Sequence, residues 1–171
     1  MKWHDLNEDA CSIARTLSVI GDRWTILIIK ECFWGVSSFG EFHCRLGISK
    51  ALLSQRLKEL VAVGVLVRED TGDPFARNAY KLTRMGKDLF PVIMAMAQWG
   101  NAYLNPQAKD LVRYRHKPCG ELLKVETTCK ACGEELRARD VAVEPGEDLS
   151  DEQREKVEAA IASVRGVKPA V

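Results

Sequence analysis

Four side chains in the last third of the chain have the types and spacing of metal ligands: His116, Cys119, Cys129 and Cys132. They form an H-x2-C pair and a C-x2-C pair separated by nine residues, and a glycine follows each pair. Imidazole nitrogen and thiolate sulfur are ligands of Zn²⁺, and four of them close a tetrahedral structural site. A segment this short buries little apolar surface, so bound metal would supply much of its folding free energy. The pattern predicts a zinc ribbon, framed by short strands at 121–127 and 136–143.

Two alternatives remain open for this segment. It could be a ribbon that keeps its fold without metal. Cys129 and Cys132 could instead form a redox C-x2-C pair, although the surrounding residues lack the βαβ pattern of thioredoxin-like proteins.

A second group of residues, between positions 47 and 64, has the character of a nucleic-acid contact. Ser49 can cap a helix, because its hydroxyl accepts a hydrogen bond from a free amide of the first turn. Three leucines then recur at helical spacing, and a glycine follows at the C-terminal cap; they are Leu53, Leu57 and Leu60. The spacing predicts an amphipathic helix over about residues 49–63.

The side of this helix opposite the leucines is small, polar and basic. It consists of Ala51, Ser54, Gln55 and Lys58, and we interpret it as free of carboxylates. Gln and Ser can pair with base edges in the DNA major groove, and Lys can approach phosphate. An ordinary surface helix would show the same leucine spacing, so the neighbouring elements decide between the two interpretations.

Those neighbouring elements complete a DNA-binding arrangement. Ser38 and Glu41 form a capping box for a short helix, which a tight turn at 45–47 joins to the second helix. A β-hairpin over 65–82 follows as a wing, with Arg77 near its tip to reach phosphates or the minor groove. The sequence predicts contacts to DNA from Ser38, Ser49, Lys50, Ala51, Ser54, Gln55, Arg56, Lys58 and Arg77.

The remaining helices are assigned to packing. A helix capped by Asn7 or Asp9 should run to Ile20, and an apolar helix over about 23–33 should be central to the core. Trp24 and Trp34 are expected to be packing residues.

A long helix, capped by Thr83 and running to about Leu104, is apolar on more than one face, and Pro91 could kink it. Because an 80-residue winged helix has no deep core for such a helix, we expect it to form a dimer interface. Two recognition helices would then bind a palindrome with half-sites about 34–36 Å apart.

Composition sets wider limits. The net charge of the 171 residues is +1, but residues 38–87 hold nine Lys or Arg against five Asp or Glu, and residues 142–171 lean acidic. The start lacks the layout of a secretory signal and no apolar run is long enough to span a membrane, so a cytoplasmic protein with reduced cysteines is expected. Phosphate-binding loops, metalloprotease motifs and nucleophile elbows are missing from the sequence, so an enzyme is not expected.

The order of elements and the local residues resemble the HxlR-type branch of the MarR-like winged helix-turn-helix regulators of bacteria. The stretches that carry the resemblance, within residues 9–104, begin at Cys11, Ile20, Phe39, Gly47, Leu53 and Tyr80. The resemblance implies a mostly α-helical fold with a small β-wing, and a dimeric DNA-binding regulator of a neighbouring operon. Lys50 stands where the family often has proline, so a target sequence cannot be carried over.

The resemblance also implies a candidate sensor, since some members use a cysteine at the position of Cys11 to detect oxidants or electrophiles. The alternative is a small buried hydrophobic residue. Cys32 and Cys44 are interpreted as thiols in or near the core.

The sequence therefore divides into a DNA-binding and dimerisation domain at 1–105, the zinc-ribbon-like appendage at 109–143, and a helix with a tail at 149–171, capped by Ser150. The first function it supports is a palindrome-binding homodimer, controlled by a small-molecule or oxidant effector. The alternative is a protein-interaction or metal-sensing module centred on the ribbon, with the winged helix as scaffold.

Overall fold

The structure is a computed structural model that describes residues 11–72, 78–104 and 112–165. Its α-helices are α1 (Ser12–Ile20), α2 (Arg23–Phe33), α3 (Phe39–Leu46), α4 (Lys50–Ala62), α5 (Arg84–Lys87), α6 (Phe90–Tyr103) and α7 (Asp151–Arg165). Its strands are β1 (Leu66–Asp70) and β2 (Asn78–Leu82). The predicted caps Asn7 and Asp9 lie outside the described residues.

The chain divides into two compact units, Val19–Val125 and a second unit formed by residues 1–18 and 126–171. The boundary between Val125 and Glu126 falls inside the segment that the sequence assigned to a single appendage.

The core of the first unit lies where α2, α3 and α4 meet. Ile28, Ile29, Phe42, Leu53 and Leu57 are fully buried there. The apolar run of α2 is therefore central, as the sequence predicted. Trp34 is not a packing residue, because it is 42% exposed and its ring lies beneath the cations of Lys30 and Arg45.

A buried ion pair joins α2 to α3. The Glu31 carboxylate is 3% exposed, accepts a 2.5 Å hydrogen bond from Arg45 Nε, and also pairs with Lys30. Burial raises the pKa of Glu31, but the hydrogen bonds and charges of Lys30 and Arg45 outweigh burial, so its pKa is lowered overall. Sequence reasoning did not identify the pair of Arg45 and Glu31, because the two partners are 14 residues apart.

Two antiparallel strands, β1 and β2, form the wing, in the register Leu66↔Leu82 to Asp70↔Asn78. A bridge from Ser38 to Ala79 joins the start of α3 to the hairpin. Gly86 packs so closely beneath the wing that a Cβ there would lie 2.3 Å from the Val65 carbonyl oxygen. This close approach holds the hairpin against the segment that follows it.

The single long helix predicted from Arg84 to Leu104 is wrong, because the structure has two helices with a break at 88–89. Thr83 caps the first, as predicted, by accepting a hydrogen bond from the Gly86 amide. Pro91 lies in the first turn of α6, where a missing N–H leaves no hydrogen bond unmade. In the interior of a continuous helix, Pro91 would remove one backbone hydrogen bond of the i to i−4 pattern. The chain therefore starts a new helix here.

In the C-terminal part, the two strands predicted to frame the ligands are replaced by isolated bridges, Arg115↔Leu122 and Thr128↔Glu135, and a 3-10 turn at Ala138–Asp140. The last helix does form. The Ser150 hydroxyl accepts from the Gln153 amide, and the Gln153 side chain accepts from the Ser150 amide.

Candidate nucleic-acid interface

The helix α4 presents a largely polar surface because three of its leucines point inward. Leu53, Leu57 and Leu60 are at most 2% exposed, and the Ser49 hydroxyl accepts from the Leu52 amide to start the helix. Gly47, in the left-handed conformation at φ 63°, turns the chain from α3 into α4. The exposed side carries most of the predicted contact residues: Ser49, Lys50, Ala51, Ser54, Gln55 and Lys58.

The interpretation of this face as free of carboxylates is wrong. Glu59 is exposed one turn after Gln55, and its Oε1 accepts a 3.0 Å hydrogen bond from Gln55 Nε2. Burial raises the pKa of Glu59, but hydrogen bonds from Arg56 and Gln55 lower it further than burial raises it. The spacing i to i+4 between Gln55 and Glu59 was the sequence signal for this contact.

Arg56 has a different position from the other predicted contact residues. Its guanidinium is half-buried and lies 3.2 Å from Asp22 and 2.8 Å from Glu59. Asp22 is also the N-cap of α2, where it accepts from the amides of Trp24 and Thr25. Arg56 therefore ties α4 to the start of α2 and orients Glu59, a role that sequence reasoning missed.

Ser38 is also engaged within the protein. Its hydroxyl accepts from the Glu41 amide, and its own backbone amide donates to the Glu41 carboxylate at 3.1 Å, which completes the predicted capping box. The residue is half-buried and bridges to Ala79. The Ser38 side chain thus caps α3, while its backbone holds the start of that helix beside the wing.

The described part of the wing carries both signs of charge. Arg68 Nε donates to Asn78 Oδ1 at 2.7 Å, and Lys81 pairs with Glu69 across the strands at 2.5 Å. These pairs fix two cations on the exposed hairpin. Arg77, predicted at its tip, lies outside the described residues.

The predicted metal ligands are brought together as two pairs. His116 Nδ1 lies 3.2 Å from Cys119 Sγ in the first compact unit. In the second unit, the backbone amides of Cys132 and Ala131 and the side chain of Cys132 hydrogen-bond the Cys129 thiol and lower its pKa. Among the described residues, no three or more His, Cys, Asp or Glu side chains form a group that could hold a metal ion.

The other three cysteines differ in accessibility. Cys11, the candidate sensor, is exposed. Cys32 is half-buried, and burial followed by the nearby Glu31 charge raises its pKa to about 12. Cys44 is exposed on α3, so its assignment to the core is wrong.

Helix α6 leaves an apolar stripe on its surface. Ile93 and Met94 are buried, but Val92, Met96, Trp99 and Tyr103 are 42–69% exposed. These four are spaced four, three and four residues apart, which is the spacing of a helix–helix seam. A cavity of about 300 Å³ lies beside α6, lined in part by Met94, Val112 and Leu122.

No described helix is both long and apolar enough to cross a lipid bilayer.

Two helices joined by a glycine turn, the second with a polar exposed face and followed by a two-stranded wing, define a winged helix-turn-helix protein. The HxlR-like helix-turn-helix family model matches residues 19–108, and the chain belongs to that family. An uncharacterized HTH-type transcriptional regulator of Mycobacterium tuberculosis is 42% identical over 135 residues, which cover 79% of this chain and 85% of the relative. Another, YybR of Bacillus subtilis, is 32% identical over 56% of this chain and 78% of the relative.

Solved structures agree with this assignment. The crystal structure of PA1607, a candidate transcription factor, is similar with a TM-score of 0.77 and 34% identity over 83% of this chain and 99% of that one. The redox regulator HypR in its reduced form is similar with a TM-score of 0.51 and 30% identity over 57% of this chain and 95% of that one. The protein is therefore a transcriptional regulator with a helix-turn-helix DNA-binding fold.

Proposed function

We propose that this protein is a cytoplasmic homodimer that binds a palindromic DNA operator through α4 and the wing. The observation that carries the proposal is the polar exposed face of α4, on which Ser54, Gln55 and Lys58 are exposed while three leucines on the opposite side are buried. A helix of this width fits the major groove, where Gln can pair with adenine and Lys can contact phosphate.

Gln55 is the residue that we assign to base reading, and its neighbours position it. Glu59 accepts from Gln55 and is itself held by Arg56, which Asp22 anchors to α2. This chain of contacts restricts the Gln55 side chain before DNA binds, which lowers the entropy lost on binding. Arg56 thereby acts through Glu59, as a positioning residue in this proposal.

Titration of DNA at several salt concentrations tests these roles. Gln55→Ala should reduce discrimination at one base position by about 1–3 kcal/mol. Lys58→Ala should weaken binding to all sequences and reduce the salt slope by about 1. Lys156→Ala, on α7 and outside the predicted contact set, serves as the control. If Gln55→Ala and Lys58→Ala both bound like the wild type, the docking of α4 would be wrong.

The dimer is proposed to form through the stripe Val92, Met96, Trp99 and Tyr103. Exposed apolar side chains at seam spacing are stabilised when a second helix covers them. Met96→Lys should therefore shift the protein to monomer in sedimentation experiments. Met85→Lys is the matched control, because Met85 is 54% exposed and Met96 is 50% exposed. Dissociation by both variants or by neither would contradict this interface.

Thiol control through Cys11 is a further part of the proposal, supported by its exposure and by the similarity to the redox regulator HypR. A mild thiol oxidant should then lower the DNA affinity of the wild type and leave Cys11→Ser unaffected. Cys44→Ser, which replaces another exposed cysteine, should respond like the wild type. A small-molecule effector, if one acts, has the cavity beside α6 as its candidate site.

A further inference from the structure

The cavity beside α6 has one wall that lies outside the residues matched by the family model. The match ends at residue 108, whereas this wall comes from residues 112–125, which we call the wall segment. Within the wall segment, Leu123 N donates to Tyr114 O at 2.8 Å, and a bridge joins Arg115 to Leu122. The wall is therefore a small hairpin with backbone hydrogen bonds of its own.

Gln98 on α6 attaches the wall segment to the helix. Its Nε2 donates to Val125 O at 3.1 Å, and its Oε1 accepts from Val125 N at 2.8 Å. The side-chain amide thus pairs with both backbone groups of Val125, as a neighbouring strand would. Both walls of the cavity lie within the first compact unit, so direct contacts set its dimensions.

Apolar side chains form most of the cavity lining. The volume of about 300 Å³ lies at the lower end of the range of about 300–1,000 Å³ for ligand pockets. Met94 is buried, but three apolar side chains of the wall segment remain 36–47% exposed: Val112, Leu122 and Leu123. An apolar occupant would remove more of this surface from water, and that burial favours binding.

The polar part of the lining favours an anion. Arg113 is the only charged residue among the described residues that line the cavity, and its side chain forms no ion pair or hydrogen bond with a described residue. The side chains of Asn101 and Tyr114 likewise have no hydrogen-bond partner in the described part of the chain. A guanidinium beside apolar surface suits a carboxylate, to which it can donate two parallel hydrogen bonds.

We propose that this cavity binds a small amphipathic monocarboxylate, with the carboxylate on Arg113 and the apolar body between α6 and the wall segment. The cavity has the volume of about ten water molecules in the liquid, so a ligand of about ten non-hydrogen atoms fits. One guanidinium balances one negative charge, whereas a phosphate group carries about −1.5 to −2. The role of this ligand as the effector rests on the proposed function, but its binding does not.

The cavity and the apolar stripe of α6 lie on opposite sides of that helix. At 3.6 residues per turn, the cavity residues Met94 and Asn101 lie about half a turn around the helix from Val92 of the stripe. A second copy packed on the stripe should therefore leave the cavity open. Ligand and partner would act on the same helix from its two sides.

Isothermal titration calorimetry of the full chain without DNA tests the site. Octanoate should bind, while 1-octanol and octylamine, which have the same chain and no carboxylate, should bind at least about tenfold more weakly. The second probe, 4-phenylbutanoate, replaces the chain by a ring. Binding of either carboxylate supports the proposal, and the tighter of the two identifies the apolar body as a chain or a ring.

Variants at exposed positions assign the two parts of the site. Arg113→Gln should lower octanoate affinity at least about tenfold and leave 1-octanol affinity unchanged, because only the charged hydrogen bonds are lost. Lys117→Gln is the matched control, since it removes an exposed positive charge from the wall segment outside the lining. Ala102→Trp should fill part of the cavity and weaken octanoate binding. Ala95→Trp, at an exposed alanine of α6 outside the lining, should bind like the wild type.

Three results would overturn the proposal: no binding of either carboxylate, equal affinity for octanoate and 1-octanol, or wild-type octanoate binding by Arg113→Gln. An equal loss of octanoate binding in Lys117→Gln would also contradict it, because the effect would then come from net charge alone. Calorimetry uses no DNA, so the ligand site can fail while DNA recognition stands. A failure of DNA selection would leave the calorimetric result unchanged.

Discussion

The helix-turn-helix and the two similar segments 116–121 and 129–134, which we call the first and the second knuckle, reach defined folds by different means. In the helix-turn-helix, Phe42, Leu53 and Leu57 are fully buried, whereas the leucines beside the knuckles remain 36–47% exposed. Backbone hydrogen bonds within each knuckle are 2.7–2.9 Å long, compared with 2.9–3.1 Å at the ends of α3 and α4. Exposed hydrogen bonds add little net stability, because water competes for the same groups. We conclude that packing stabilises the DNA-binding part, while the knuckles depend on local backbone geometry.

The largest expected effect is a difference between the two regions in the free energy of unfolding lost when an apolar side chain is truncated. Phe42→Ala should lower the free energy of unfolding by about 3–5 kcal/mol, because it opens a cavity in a closed core. Leu136→Ala should cost less than about 1 kcal/mol, since its side chain is only partly removed from water. Urea denaturation followed by circular dichroism measures both. Equal costs would show that the knuckle region has a packed core after all.

A second, smaller effect comes from the buried carboxylate of Glu31. It lies in the helical core, and the described residues of the knuckles contain no buried charge. Glu31→Gln removes the charged hydrogen bonds with Arg45 and Lys30 and should cost about 1.5–3 kcal/mol at neutral pH. Because the folded-state pKa of Glu31 is lowered from 4.5, its contribution is present above pH 4.5 and is lost as the pH falls through the folded value.

Unfolding measurements from pH 7 to pH 3 on the wild type and Glu31→Gln check this prediction. The stability difference between the two proteins should shrink as the pH falls below 4.5. A difference that stays constant with pH would contradict the assigned pairing.

Matched glycines provide the smallest and sharpest comparison. Gly64 in the core region and Gly133 in the second knuckle have φ of 79° and 78°, and both have open space around the Cβ position. Alanine at either should therefore cost the same strain of about 1–2 kcal/mol. In the core region this strain should lower global stability, whereas in the knuckle it should only speed amide exchange of nearby residues.

Native-state hydrogen exchange combined with urea denaturation distinguishes the two outcomes. Gly64→Ala should reduce protection throughout α2, α3 and α4. A global loss of stability in Gly133→Ala would mean that the knuckle unfolds together with the core.

Local features of the fold were predictable from the sequence. The capping box of Ser38 and Glu41, the cap at Ser49 and the turns at Gly47 and Gly64 follow from residue types over four or five positions, and the structure confirms them. Such signals depend on backbone groups close in the chain, so one sequence is enough to identify them.

Features set by distant residues were not predictable. The pairing of Arg56 with Asp22 and of Arg45 with Glu31 joins residues 34 and 14 positions apart. The break between α5 and α6 was missed because the apolar pattern continues across it, although Pro91 marked the new helix start. The strands predicted to frame the ligands do not form, because a bridge of one residue pair closes each knuckle.

The most direct test of the central claim is selection of the purified, reduced protein on a random pool of duplex DNA. A dimer that reads DNA through α4 should enrich a palindrome with half-site centres about one helical turn, 10–10.5 base pairs, apart. Gln55→Ala should enrich a palindrome that differs at the same position in each half-site. Binding without enrichment, at an affinity that falls steeply with salt for every sequence, would contradict the claim. The function would then have to be sought in the knuckles, as a protein-interaction or metal-sensing module.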